Sequence, residues 1–157
     1  MTESTTDTTA EVEEHHSDSR IDRVNEAMAT LKSTGDSGAS WFYWIAGLSL
    51  INSISAFTGG GWGFIVGLGV THLVTGMASS TAVALAINIF IAGSFIALGI
   101  FANRAQLWAF IVGMVLYGLD GLLYAKVGSW LAAGFHVFVL ICLFNGFRAA
   151  RQLRMAV

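Results

Sequence analysis

From Trp41 to the C-terminus the chain carries six charged side chains, Arg104, Asp120, Lys126, Arg148, Arg151 and Arg154, and proline is absent throughout. A soluble domain holds roughly a quarter charged residues, whereas this chain holds 11% and is 55% hydrophobic. Such a stretch is at home in a bilayer, where backbone N–H and C=O groups must be satisfied within the chain, and it reads as helices.

A helix crosses the ~30 Å hydrocarbon core in ~20 apolar residues. Five stretches qualify, at about 41–58, 62–79, 81–102, 106–126 and 128–147. Their separators are short: Thr58-Gly59-Gly60-Gly61, a capping Ala78-Ser79-Ser80-Thr81, the polar Asn103-Arg104-Ala105-Gln106, and Lys126-Val127-Gly128-Ser129. Short connections make sequential helices antiparallel. The stretch 62–79 is the weakest, being short and holding four glycines between Gly63 and Gly76, and a re-entrant course is its alternative. The expected fold is an all-α integral membrane protein, a five-helix bundle of one leading helix and two tandem hairpins.

The hairpins read as a duplication. Residues 62–67 are W-G-F-I-V-G and residues 108–113 are W-A-F-I-V-G, and the same offset pairs Leu73 with Leu119, Leu85 with Leu131, Ala86 with Ala132 and Phe101 with Phe147. The repeats run over about 62–107 and 108–153, and tandem two-helix units share one orientation in the bilayer.

The first 40 residues differ in kind, holding nine of the ten acidic residues together with Arg20, Arg23 and Lys32. Residues 1–18 are rich in Thr, Ser and Glu without apolar periodicity, and are expected to be disordered. Over 19–34, Ile21, Val24, Met28 and Leu31 fall at a/d spacing, which predicts a short amphipathic juxtamembrane helix. Gly35 to Ser40 then reads as a hinge, and 41–154 as the membrane domain. The start lacks the basic and early apolar segments of a cleavable signal, and the lone Cys142 rules out a disulfide within the chain. Glu11, Glu13, Glu14, His15, His16 and Asp18 lack the spacing of a structural metal site.

Basic residues near helix ends fix orientation. Arg148, Arg151 and Arg154 after the last helix, with Arg104, point to a cytoplasmic C-terminus; five full spans then put the acidic tail outside, and a re-entrant second stretch puts it inside. Trp41, Trp44, Trp62, Trp108 and Trp130 near helix starts suit an interfacial belt.

Ionisable groups inside a bilayer are costly, which makes each a candidate site. Asp120 and His136 are nearly equidistant from the turn at 127–128, and His72 and Asn88 from the turn near residue 80. The four are expected to form one polar layer ~12 Å from the outer helix ends, with Tyr117 and Tyr124 on the Asp120 face by i−3 and i+4 spacing. The first reading is a packing lock of carboxylate, imidazole and phenols. A proton pathway through Asp120 and His136, a b-type haem ligated by His72 and His136, and a pocket for an apolar ligand are the alternatives. Gly63 with Gly67, Ala109 with Gly113, and Gly128 with Ala132 are small-x-x-x-small pairs for close helix packing. Arg148, Arg151 and Arg154 suit anionic lipid headgroups.

In size alone, a 157-residue chain with five spans and five tryptophans resembles the translocator-protein family; that family's proline-rich loops have no counterpart here, so no ligand or residue carries over. The wording of residues 41–54, W-F-Y-W-I-A-G-L-S-L-I-N-S-I, looks like small bacterial membrane proteins and implies a bacterial cytoplasmic membrane. No phosphate-binding loop, nucleophile elbow, zinc motif or catalytic carboxylate pair is present. The expectation is a non-catalytic accessory or scaffold subunit whose partners are the bilayer and other membrane subunits or a second copy, without nucleic acid or cofactor.

Overall fold

The computed structural model describes residues 4–57, 68–69 and 80–156. Among these residues there are four helices: α1 (Ser4–Phe57), α2 (Thr81–Asn103), α3 (Leu107–Lys126) and α4 (Trp130–Ala156). Three of them are long and apolar enough to cross a membrane, over Ala82–Asn103, Leu107–Lys126 and Trp130–Ala156. His72, Gly63, Gly67 and most of the expected span 62–79 lie outside the described residues.

The helix ends follow local chemistry. Ser80 Oγ caps α2 by accepting the Val83 N–H at 3.3 Å. The α2–α3 turn passes through Ala105 at φ 53°, and the α3–α4 turn through Gly128 at φ 77°. α4 continues past residue 147 to Ala156, so Arg148, Arg151 and Arg154 lie on its exposed last turns.

α1 differs most from expectation. It runs 54 residues without a break, taking in residues 4–18, expected to be disordered, and the expected hinge at Gly35–Ser40. No proline interrupts it, and its hydroxyls bond back along the helix, as from Thr30 to the Glu26 carbonyl at 2.9 Å and from Thr34 to the Thr30 carbonyl at 2.9 Å. Lys32 and Asp36 form an i, i+4 ion pair at 2.8 Å. The supposed hinge glycines are contact glycines: a Cβ on Gly38 would collide with the Gly146 backbone in α4, and one on Gly146 would lie 2.7 Å from Gly38 Cα. The end of α1 is not one of the three apolar spans, because its buried face includes Ser49, Asn52 and Ser53 among Ala39, Phe42, Ile45 and Ala46. That face follows the i, i+3, i+4, i+7 rhythm of a helix turned into a protein core.

α1 packs against α2 and α4, and α4 against α3. Phe42 joins the helices, with ring centroids 6.4 Å from Phe95 on α2 and 6.0 Å from Phe110 on α3, while Phe110 lies 6.5 Å from Phe147 on α4. Contacts fix direction. Gly38 meets Gly146, Trp41 stacks edge-on against Phe138, and Asn103 Nδ2 donates to the Tyr43 hydroxyl at 3.0 Å. α1 is therefore antiparallel to both α2 and α4, and its N-terminal part extends from the end of the bundle that carries Arg104 and Arg148.

Phe57 and Thr81 lie at the same end of the bundle, the end of Lys126 and Trp130. The expected span between them, on which the five-helix bundle depends, lies almost wholly outside the described residues. Of the two described residues of the expected helix 62–79, Leu68 is not helical and Gly69 is. The acidic tail, placed outside by five full spans, extends instead from the same end as the C-terminal arginines.

Candidate functional site

All six buried polar side chains of the described core, Ser49, Asn52, Ser53, Asn88, Asp120 and His136, lie in the half of the bundle nearest Lys126. Helix order produces this clustering: Asp120 is six residues before the end of α3, Asn88 seven after the start of α2, His136 six after the start of α4, and Ser49 eight before the end of α1. At 1.5 Å per residue these depths agree within about 3 Å.

At its centre, His136 Nε2 lies 3.0 Å from Asp120 Oδ2, both residues being at most 4% exposed. Gly121 makes room for the imidazole, since a Cβ there would sit 2.8 Å from His136 Cβ. The ring stacks on Tyr117 with centroids 4.3 Å apart and planes at 18°, and leans against Tyr124 at 5.2 Å. Asn88 is buried on the α2 face that also carries Ala84, Ala92 and Phe95. The Tyr117 hydroxyl is buried without a hydrogen-bond partner among the described residues.

Proton accounting follows from the partners. His136 Nδ1 lies 2.8 Å from the Ala132 carbonyl oxygen, which can only accept, so Nδ1 carries a proton. A second proton must lie between Nε2 and Oδ2, because a carboxylate oxygen and a bare imidazole nitrogen both present lone pairs. Asp120 and His136 together hold two protons and are net neutral, as imidazolium with carboxylate or as imidazole with carboxylic acid. Either form avoids the large cost of an uncompensated charge in the interior.

Main chain completes the layer. Gly69 N–H donates to Asp120 Oδ2 at 2.8 Å, and Leu68 N–H donates to Ser49 Oγ at 3.2 Å. Backbone N–H groups at membrane depth need partners in the protein or in water, and here the acceptors come from α3 and α1. Ser49 and Ser53 in turn donate to the carbonyls of Ile45 and Ser49 at 2.7 and 2.9 Å.

The structure brings Asp120, His136, Tyr117 and Tyr124 together and sets Asn88 at the same depth. Sequence reasoning missed Ser49, Ser53 and the Leu68–Gly69 main chain. The serine spacing on the α1 apolar face was available as a signal; the backbone donors left none. Haem does not fit His136, whose two ring nitrogens are both engaged and leave no lone pair for iron. Among the packing residues, Ala109, Gly113 and Ala132 are buried, with Gly113 against the Phe42 ring. Gly128 differs, since it lies in a turn with open space around its Cα, and its role is the positive φ.

Beside this layer, a cavity of about 500 Å³ lies between α2 and α3, lined by Leu68, Ile91, Phe95, Leu116, Leu119 and Asp120 among others. No family model, curated protein or solved structure matches the chain.

Proposed function

We propose that this chain is a small non-catalytic integral membrane protein, an accessory or scaffold subunit that packs against a larger membrane assembly or a second copy of itself. One observation carries the reading: Asp120 and His136 bond to each other and to main chain, at Gly69 N–H and Ala132 O. Such an arrangement anchors main chain between helices. It offers no open path of carboxylates for proton transfer, and the apolar outer faces of α2, α3 and α4 are the surfaces left for partners. In mild detergent the intact protein should co-purify stoichiometrically with larger membrane subunits or as a defined oligomer; a monodisperse monomer that reproducibly carries a small molecule would defeat the proposal.

Orientation with a cytoplasmic C-terminus, in a bacterial cytoplasmic membrane, belongs to the same proposal. Its support is charge: Lys32, Arg104, Arg148, Arg151 and Arg154 lie toward one end of the bundle and Lys126 toward the other. Both chain ends are then cytoplasmic. The tandem duplication rests on the sequence match, since Leu85 and Leu131 are both exposed whereas Ala86 is exposed and Ala132 fully buried. The fifth helix of the bundle, expected at 62–79, lies almost wholly outside the described residues. A second reading, a ligand-handling bundle, is favoured by the cavity beside Asp120.

A further inference from the structure

We propose that the cavity between α2 and α3 holds one acyl chain of an anionic phospholipid, with the headgroup phosphate at Lys126. The inference is independent of any accessory role. The cavity follows α3 from Leu116 to Lys126, ten residues or ~15 Å at 1.5 Å per residue, which is half of a ~30 Å hydrocarbon core. Its depth is that of one leaflet. Leu116, Leu119 and Leu122 on its wall are 45%, 59% and 58% exposed, so it opens sideways to the bilayer. At about 500 Å³ it falls within the ~300–1,000 Å³ of ordinary ligand pockets.

Charge decides the class of occupant. Among the described lining residues two polar groups accompany the lysine at the rim, and both are engaged: the Ser94 hydroxyl donates to the Phe90 carbonyl at 2.9 Å, and Asp120 Oδ2 accepts from Gly69 and shares a proton with His136. Because the Asp120–His136 pair is net neutral, the interior does not call for a cation and suits hydrocarbon. Lys126, exposed on the last turn of α3, has no acidic partner among the described residues and supplies the only net charge of the described lining. A hydrocarbon slot one leaflet deep with a single cation at its mouth matches an anionic lipid. Leu68 closes one wall, and its hydrogen bond to Ser49 makes the polar layer the support of the slot.

The test is native mass spectrometry of the full chain in mild detergent titrated with phosphatidylglycerol or phosphatidylcholine. The wild type should retain one phosphatidylglycerol with about a fivefold preference, the effect of one lysine beside an anionic group. Lys126→Gln, a change at an exposed position, should abolish the preference. Because Arg148, Arg151 and Arg154 are the same in both proteins, the difference reports Lys126. Ser94→Phe, which fills the slot, should reduce retention of both lipids. Equal retention of the two lipids by wild type, an unchanged preference in Lys126→Gln, or displacement of phosphatidylglycerol by equimolar free oleate would each overturn the proposal.

Discussion

Two glycines of one helix separate the packing argument from composition. Gly146 and Gly134 both lie in α4, and replacing either with alanine brings the same gain in helix propensity, up to about 1 kcal/mol. At Gly134 a new Cβ meets nothing within 4 Å, so Gly134→Ala should leave stability unchanged or raise it slightly. At Gly146 the Cβ would lie 2.7 Å from Gly38 Cα and 3.1 Å from Phe110 Cε1. Ordinary carbon contacts are ~3.5–4.0 Å. The nearest obstacle is main chain, which has no rotamer to yield, so α1 must move off α4 by about 1 Å. A gap of that size forfeits roughly a quarter to a half of the local dispersion energy, and overpacking costs about 1–3 kcal/mol. Gly146→Ala should therefore be about 1–3 kcal/mol less stable than Gly134→Ala. Reversible unfolding in mixed SDS and mild-detergent micelles measures the difference, with Trp41 fluorescence as a local probe because that ring packs edge-on against Phe138 at 5.5 Å across the same interface. If Gly146→Ala unfolds together with or later than Gly134→Ala, the close approach of α1 to α4 is wrong.

In Asp120→Asn the amide oxygen can accept from both Gly69 and His136 only if His136 stays doubly protonated with its charge uncompensated, and a neutral His136 leaves one hydrogen bond unmade at a cost of about 1–3 kcal/mol; a double-mutant cycle with His136→Gln should show coupling of at least about 0.5 kcal/mol, and additivity would contradict direct contact. Ser49→Ala removes the acceptor of Leu68 N–H, and amide hydrogen exchange should accelerate at Leu68 while staying slow in the middle of α3. Gly128→Ala should cost about 1 kcal/mol because of the φ of 77°, and Ala105→Gly should recover a similar amount at φ 53°, both read in the same unfolding assay. With Cys142 replaced by Ser, single cysteines at Ser19 and Met155 should react with an impermeant maleimide from the same side of the membrane and one at Val127 from the other; labelling of Ser19→Cys together with Val127→Cys would refute the direction of α1.

The sequence disclosed α2, α3 and α4 because each is an apolar run bounded by turn or capping residues, and their ends shift by a few residues at most except where α4 continues through its arginines. Asp120 and His136 could be set at one depth from the sequence because a connection of only three residues, 127–129, fixes the register of the α3–α4 hairpin. The direction of α1 was not legible, since hydropathy is blind to direction and the loop rule presumed a full crossing by residues 62–79. What decides it is tertiary: Gly38 fits only against another glycine, and Tyr43 finds Asn103, sixty residues away. The unbroken course of α1 was hidden for a related reason, because glycines that permit a hinge also permit two backbones to touch, and spacing alone does not separate the two uses.

The two halves of the bundle are held by different physics. Toward the arginine end the contacts are steric, with Gly38 on Gly146, Gly99 under Tyr43 and Gly113 under Phe42, as expected where lipid is as apolar as the side chains and close packing replaces a hydrophobic driving force. Toward the Lys126 end the contacts are polar, because the main chain at Leu68 and Gly69 brings N–H donors to a depth where no water accepts them. Asp120 alone would meet Gly69 at the cost of a buried negative charge, and His136 removes that charge while Ala132 holds the ring in the required protonation. The residues that look most chemical in the sequence thus bond to main chain at Gly69 and Ala132. Their removal should disturb Leu68 and Gly69 while leaving the contact of α1 with α4 in place, whereas a methyl group at Gly146 should do the reverse.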